Sequence, residues 1–310
     1  MVNPSKHLRQ FGIGVFLIAA FSRVLSALHL RKFFCAYTNW KHKYLSNWLW
    51  KRFAYTVKYD KDTKHEVEDE GFVFVFWYQG EKSAPPIVKA CLASIRKWCP
   101  DRKVIVLDKN NYMNYAHIPD CVMSRLRDGE MDLTTFSDVL RFTLLREHGG
   151  FWIDATNLLL KPIPEYALSY SFFSLNGAFE SFKYDLGFKW TVWFLYAKKG
   201  DMIINNMYHF LEEYWNRYDT MLTYLFWDCW LLSLYNHIPE IKAKIDSIPR
   251  TDGSCCELLN NWHLPAYGEN LKLIENGSFI NKLSYKGNLP ERRVGDKFTL
   301  YGKVLDMYGF

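Results

Sequence analysis

Residues 132–156 read DLTTFSDVLRFTLLREHGGFWIDAT. Asp132 has the chemistry of a helix N-cap, and the helix it opens is expected to run to about His148. Gly149-Gly150 supplies the stop. Phe151–Asp154 then reads as a buried strand. Asp138 and Arg141 are three residues apart and share a helix face. Asp138 lies eleven residues before Gly149, roughly 16 Å along a helix at 1.5 Å per residue. Asp154 lies four residues beyond Gly150, roughly 13 Å along a strand. The tight Gly-Gly turn sends the strand back beside the helix, so the start of one meets the end of the other. Asp138, Arg141 and Asp154 are therefore expected within one site.

Working outward, residues 71–77 (GFVFVFW) and 103–107 (KVIVL) read as buried parallel strands. Between them, Pro85-Pro86 opens a helix whose apolar face is Val88, Cys91, Leu92, Ile95 and Trp98, and Pro100 ends it. Residues 110–128 read as two short helices joined at Pro119. Strand–helix–strand–helix–strand is the doubly wound α/β pattern, a Rossmann-like sheet with flanking helices. Residues 190–197 extend it as a fourth strand, with helices over 201–217, 222–237 and 239–246. In such sheets ligands bind beyond the carboxyl ends of the strands. The first strand ends there in Trp77-Tyr78-Gln79-Gly80, an aromatic, a polar edge and a glycine suited to a flat base.

These segments resemble the capsular polysaccharide synthesis glycosyltransferase family. That family is related to the DxD sugar transferases of the mannosyltransferase and toxin-glucosyltransferase type. The resemblance rests on Ser137-Asp138-Val139-Leu140-Arg141, on Gly149-Gly150-Phe151-Trp152-Ile153-Asp154-Ala155-Thr156, and on Trp77-Tyr78-Gln79-Gly80. Lys189-Trp190-Thr191, the stretch around Asp228 and Lys282-Leu283-Ser284-Tyr285-Lys286 also match, so it covers about residues 70–286.

The resemblance implies a GT-A fold and transfer of a sugar, with retained configuration, from a nucleotide-diphosphate sugar. The implied acceptor is a growing surface glycan of capsular or lipopolysaccharide type, free or lipid-linked. Asp154 is then the first carboxylate of DxD, facing ribose and a divalent cation, Mn²⁺ or Mg²⁺. Asp138 and Arg141 bind donor sugar and phosphates, Trp77 and Gln79 hold the base, and Lys282 and Lys286 reach the diphosphate. The third DxD position is Thr156, a neutral oxygen where relatives carry a second carboxylate. Asp228 is a candidate either for that missing carboxylate or for an acceptor contact. A rival reading keeps the fold without turnover, as a non-catalytic membrane-associated subunit of a glycan assembly complex.

Composition narrows the remaining classes. The chain has 310 residues, 49% of them apolar, enough for a large core. Seven cysteines without a CxxC pair give little support to a disulfide framework or a thiolate zinc site and suit a reducing compartment. No GxxxxGK[ST], GxSxG or HExxH occurs. The net charge of +6 is misleading, since residues 1–52 hold nine Lys/Arg and no acid while the rest holds 30 basic and 33 acidic residues. A basic tail on an acidic body does not suit a nucleic-acid reader.

Within that tail, residues 11–21 (FGIGVFLIAAF) are apolar, and with Arg23 tolerated residues 10–30 just reach the length of a span. Bases mixed with aromatics follow, including Tyr37, Trp40, Tyr44 and Trp48. Two readings stand: attachment to the cytoplasmic face of a bacterial inner membrane, or a helical hairpin packed on the body. The expected organisation is a membrane-associated helical segment over 1–59, a linker over 60–70, a catalytic domain over 71–290 and a C-terminal tail over 291–310.

Overall fold

The computed structural model describes residues 4–27, 31–59, 67–177, 189–251 and 253–310. Residues 60–66 of the expected linker lie outside the described residues.

The chain opens with two helices, α1 (Pro4–Ala27) and α2 (Arg31–Phe53), and then enters β1 (Phe72–Phe76), α3 (Pro86–Trp98) and β2 (Lys103–Leu107). Next come α4 (Asp120–Arg127), α5 (Leu133–His148), β3 (Gly150–Ile153), β4 (Asn157–Leu159), β5 (Phe172–Ser174) and β6 (Phe194–Ala197). Helices α6 (Met202–Arg217), α7 (Phe226–His237) and α8 (Pro239–Asp246) follow, then the short α9 (Glu257–Asn261) and α10 (Lys272–Glu275). Strands β7 (Ile280–Lys282), β8 (Arg293–Val294) and β9 (Lys297–Phe298) precede a last helix, α11 (Leu300–Met307).

The main sheet has the order β2-β1-β3-β6-β5. Strands β2 and β3 flank β1 in parallel, as their unbroken apolar runs require. β6 joins β3 antiparallel and β5 joins β6 antiparallel, so the sheet is mixed. The expected strand over 190–197 is confined to its second half.

The turn between α5 and β3 explains why two glycines stand there. Gly149 and Gly150 have φ of +69° and +92°, a region other residues rarely enter. A Cβ on Gly150 would lie 2.5 Å from the Phe72 carbonyl oxygen, and one on Gly149 would lie 2.7 Å from the Lys199 nitrogen. Only bare backbone lets β3 slot between β1 and β6 directly after the helix. A second, two-stranded sheet pairs β4 with β7, setting Asn157 opposite Lys282. That pairing carries Lys282 across more than a hundred residues of sequence to the end of β3.

The N-terminal helices are not merely tethered. Phe11, Val15, Leu45, Leu49 and Phe53 join the same buried core as the sheet. α2 lies along α7, where Trp50 stacks on His237 at 4.1 Å and the Ser46 and Ser233 hydroxyls meet at 2.9 Å. Residues 291–310, expected as a tail, form a hairpin and α11, whose Leu300, Val304 and Leu305 are buried.

α1 is broken at Gly12, whose φ is +80° and ψ 170°. The window Pro4–Leu25 has a mean hydropathy of 1.5, long and apolar enough to cross a membrane by length and composition alone. Beyond the break, however, Ile13–Ala27 extends only about 22 Å at 1.5 Å per residue, short of the ~30 Å hydrocarbon core. Ile13, Leu17, Phe21 and Val24, spaced along one helical face, are exposed.

Candidate functional site

One cavity of about 910 Å³ opens beyond the carboxyl ends of β1 and β3. The first turns of α5 and α7 and the end of β7 complete its wall. Asp138, Arg141 and Asp154, expected to converge, all line it. So do Trp77 and Gln79 at the end of β1, Thr156, Asp228, Lys282 and Lys286.

At its centre Arg141 bridges two carboxylates. Its Nη1 donates to Asp138 Oδ1 at 2.5 Å and its Nη2 to Asp154 Oδ1 at 3.2 Å. Lys282 Nζ donates to Asp154 Oδ2 at 2.7 Å, and Trp152 Nε1 donates to Asp154 Oδ1 at 2.8 Å. The Arg141 guanidinium also lies 5.0 Å from the Trp152 ring centre. Arg141 is 3% exposed, so an unpaired charge there would be strongly disfavoured, and the network is what keeps it in place.

Burial and charge set the three carboxyls apart. Burial alone would raise Asp154, but Lys282 and Arg141 outweigh it and hold its carboxyl below the usual range. Burial pushes Asp138 up to about 6 against the opposing charge of Arg141, with Asp154 adding to the rise. Asp228 is pushed up to about 7 by burial, opposed by a hydrogen bond from Trp190 Nε1 at 3.1 Å. Near neutrality, therefore, Asp154 and Asp138 are ionised, Asp138 less completely, while Asp228 is about half protonated. Arg141, Lys282 and Lys286 leave the cavity with a positive bias that suits an anionic ligand.

Three donors of wall residues have no partner among the described residues. Trp77 Nε1, Trp227 Nε1 and Arg141 Nε are buried without a hydrogen-bond partner among the described residues. Trp77 meets Tyr285 edge to face at 5.0 Å, while Gln79 and Lys286 are exposed at the rim.

The donor set does not fit a preformed divalent-cation site. Both Asp154 oxygens already accept from cationic side chains, and Thr156 offers one neutral hydroxyl. Among the described residues no group of three or more His, Cys, Asp or Glu side chains stands where it would hold an ion. The expectation that Asp154 and Thr156 ligate Mn²⁺ or Mg²⁺ thus meets a different arrangement, in which Lys282 occupies the charge-balancing place beside Asp154.

Three residues had no role assigned from the sequence. Trp152 shares a strand face with Asp154 because it is two residues earlier, a spacing the sequence contained. Trp190 and Tyr285 belong to segments that carried the resemblance, but only the fold brings them to Asp228 and Trp77.

Over residues 32–304 the sequence matches the family model of the capsular polysaccharide synthesis protein. The chain belongs to that family. O-glycosyltransferase braB of Annulohypoxylon truncatum is 29% identical over 112 residues, 33% of this chain and 27% of that relative. The match therefore spans about a quarter of the relative's length. The solved PaToxG Glycosyltransferase is 15% identical with a TM-score of 0.40, covering 66% of this chain and 82% of that one. A likeness that slight adds nothing to the family match.

Proposed function

We propose that this member of the capsular polysaccharide synthesis family is a GT-A-type glycosyltransferase. It moves a sugar from a nucleoside-diphosphate sugar to a glycan or lipid-linked glycan acceptor at the cytoplasmic face of a membrane. The observation that carries this reading is the Asp138–Arg141–Asp154–Lys282 network, set in a cavity whose rim and floor also carry Lys286 and Trp77. A diphosphate answers the cations of that network.

In this reading the base lies against Trp77 with Gln79 at its edge. Asp154 holds the ribose and positions Arg141 and Lys282. As the sugar–phosphate bond breaks, charge builds on the departing diphosphate, and Arg141, Lys282 and Lys286 meet it with fixed positive charge. No step is assigned to a metal. The transfer is read as retaining, so the acceptor hydroxyl enters from the face the diphosphate leaves and gives it the proton. Asp228, raised to about 7, keeps about half of its population protonated at neutral pH, and that form holds the hydroxyl by donating a hydrogen bond. Membrane association is supported by the exposed apolar face of α1 and the bases of residues 1–52.

The test is a thermal-shift screen against nucleoside diphosphates and their sugar conjugates, followed by donor hydrolysis with the best ligand. At one hundred times its Kd a specific ligand stabilises the protein by about 2.7 kcal/mol. A rise with one nucleoside diphosphate, together with donor hydrolysis, is the expected result. No rise with any of them would overturn the reading, and a rise without hydrolysis would favour the non-catalytic subunit.

A further inference from the structure

Residues 218–225, which link α6 to α7, carry neither helix nor strand. Three of them, Met221, Tyr224 and Leu225, nevertheless wall the cavity that contains Asp228. Leu225 directly precedes α7, so the course of this link sets where the first turn of α7 presents Asp228. A stretch without regular structure keeps one shape only if its buried backbone groups find partners. Leu222, at its centre, is buried. Its amide donates to the Tyr214 hydroxyl at 2.8 Å, and that hydroxyl donates to the Thr220 carbonyl at 2.8 Å. The Leu222 carbonyl is met from the far end of the chain, where His7 Nε2 lies 3.0 Å away.

His7 belongs to the part of α1 before the break at Gly12, and that part closes on the link at three further points. The Lys6 ammonium lies 3.1 Å from Asp219 Oδ2. Gln10 donates to the Asp219 carboxylate and accepts from the Asp219 amide. Phe11 packs on Tyr218 at 5.0 Å. His7 is buried, and burial lowers its imidazole from the ordinary value, so the ring is neutral at pH 7. A carbonyl only accepts, so the contact with Leu222 places the proton on Nε2. On the cavity side, Thr135 Oγ1 donates to Met221 Sδ at 3.3 Å. The link is thus pinned between α1 and α5, the helix that carries Asp138 and Arg141. The groups assigned to the base and the diphosphate, Trp77, Gln79, Arg141 and Lys282, come from other elements.

We propose that residues 4–11 are part of the transfer site. His7, Lys6 and Gln10 are positioning residues that hold residues 218–225 so that Met221 and Tyr224 close the cavity beside Asp228. The proposal rests on the reading of that cavity as the sugar-transfer site. It adds that the N-terminal segment completes the wall of that site, a role separate from attachment to a membrane.

The test compares the full-length unaltered protein with His7→Ala, His7→Gln and Gln10→Ala, using the nucleoside-diphosphate sugar that the thermal-shift screen selects. Glutamine places an amide nitrogen where His7 has Nε2 and so keeps the donor to Leu222. Nucleoside-diphosphate affinity should be unchanged in every variant, which also shows that they fold. Donor hydrolysis, in which water is the acceptor, should lose about tenfold in kcat with KM unchanged in His7→Ala, the worth of one hydrogen bond. His7→Gln should recover most of that loss, and Gln10→Ala should fall in the same direction by less. Amide hydrogen exchange over residues 219–225 should quicken at least tenfold in His7→Ala while that of β3 stays as it is. Should His7→Ala fail to fold, Gln10→Ala carries the same comparison. A lower Tm with kcat and exchange unchanged would make His7 a packing residue and overturn the proposal. Equal losses in His7→Gln and His7→Ala would overturn the role of the hydrogen bond, and loss of nucleotide binding in the variants would overturn the confinement of the effect to this wall. Failure of the donor reading would appear instead as an unaltered protein that neither binds nor hydrolyses the donor, and the exchange comparison would still decide whether residues 4–11 hold the link.

Discussion

At the residue scale, the central network makes opposite demands on its members. Asp154 is held ionised by Lys282 and Arg141, so Asp154→Asn removes a charge-assisted contact and leaves two cations facing each other. Transfer by that variant is expected to fall at least a hundredfold in a steady-state assay, whereas Thr156→Ala stays within about tenfold. Titrating Mn²⁺ into the ligand-free protein by calorimetry should show no tight site, because Thr156 is neutral and Asp154 already satisfied. Asp228 has the other sign. Its value of about 7 lies above the ordinary 3.8, so between about pH 4 and 7 the folded protein binds more protons than the unfolded chain. Its contribution to stability is therefore full below that window and is lost as pH rises through it. Asp138 acts in the same direction up to about 6. Asp228→Asn, which copies the neutral acid, should raise Tm by roughly 2–4 °C at pH 8 and by little at pH 5. In a transfer assay Asp228→Asn should also retain more activity than Asp228→Ala. The convergence of Asp138, Arg141 and Asp154 was legible because helix rise and strand rise are fixed lengths. The resemblance put Lys282 near the diphosphate, but its contact with Asp154 was not legible, since no local spacing links the two.

At the scale of elements, the α5–β3 turn is the part most dictated by its residues. Gly150→Ala sets a Cβ 2.5 Å from the Phe72 carbonyl and imposes a strained φ, with roughly 2–4 kcal/mol of destabilisation expected in urea unfolding. Little change in the unfolding midpoint would mean that β1 and β3 part easily. The β1, α3, β2, α5 and β3 series was readable from apolar runs and proline and glycine stops. Residues 190–193 were not separable from β6, because Trp190 and Trp193 are as apolar as the strand yet turn toward the cavity. β5 is three residues long, too short to show a period, and exists because β6 offers it an edge. The last twenty residues looked like a tail because their apolar content is sparse. α11 forms because Thr299 caps it and Leu300, Val304 and Leu305 find α3.

For the molecule as a whole, the basic N-terminus has two faces. Phe53 and Leu49 are fully buried against the body, while Ile13, Leu17 and Phe21 face outward. Phe53→Ala should therefore destabilise the fold by about 3–5 kcal/mol, whereas the proposed membrane association predicts that Leu17→Lys with Phe21→Lys leaves Tm unchanged and shifts the protein from the membrane to the soluble fraction. Unaltered protein that stays in the soluble fraction at low salt would overturn the proposed association, and membrane sedimentation of the double variant at high salt would remove this face from it. Composition could not separate the packed residues of this segment from its exposed ones, since both are of the same apolar types. The most direct measurement on the central claim is calorimetric titration of the nucleoside diphosphate found in the screen into the unaltered protein and into Arg141→Ala, Lys282→Ala and Asp228→Asn. The expected result is at least tenfold weaker binding for the first two variants and unchanged binding for the third. Binding that is equal in all four proteins would contradict the assignment of the Asp138–Arg141–Asp154–Lys282 network as the donor diphosphate site.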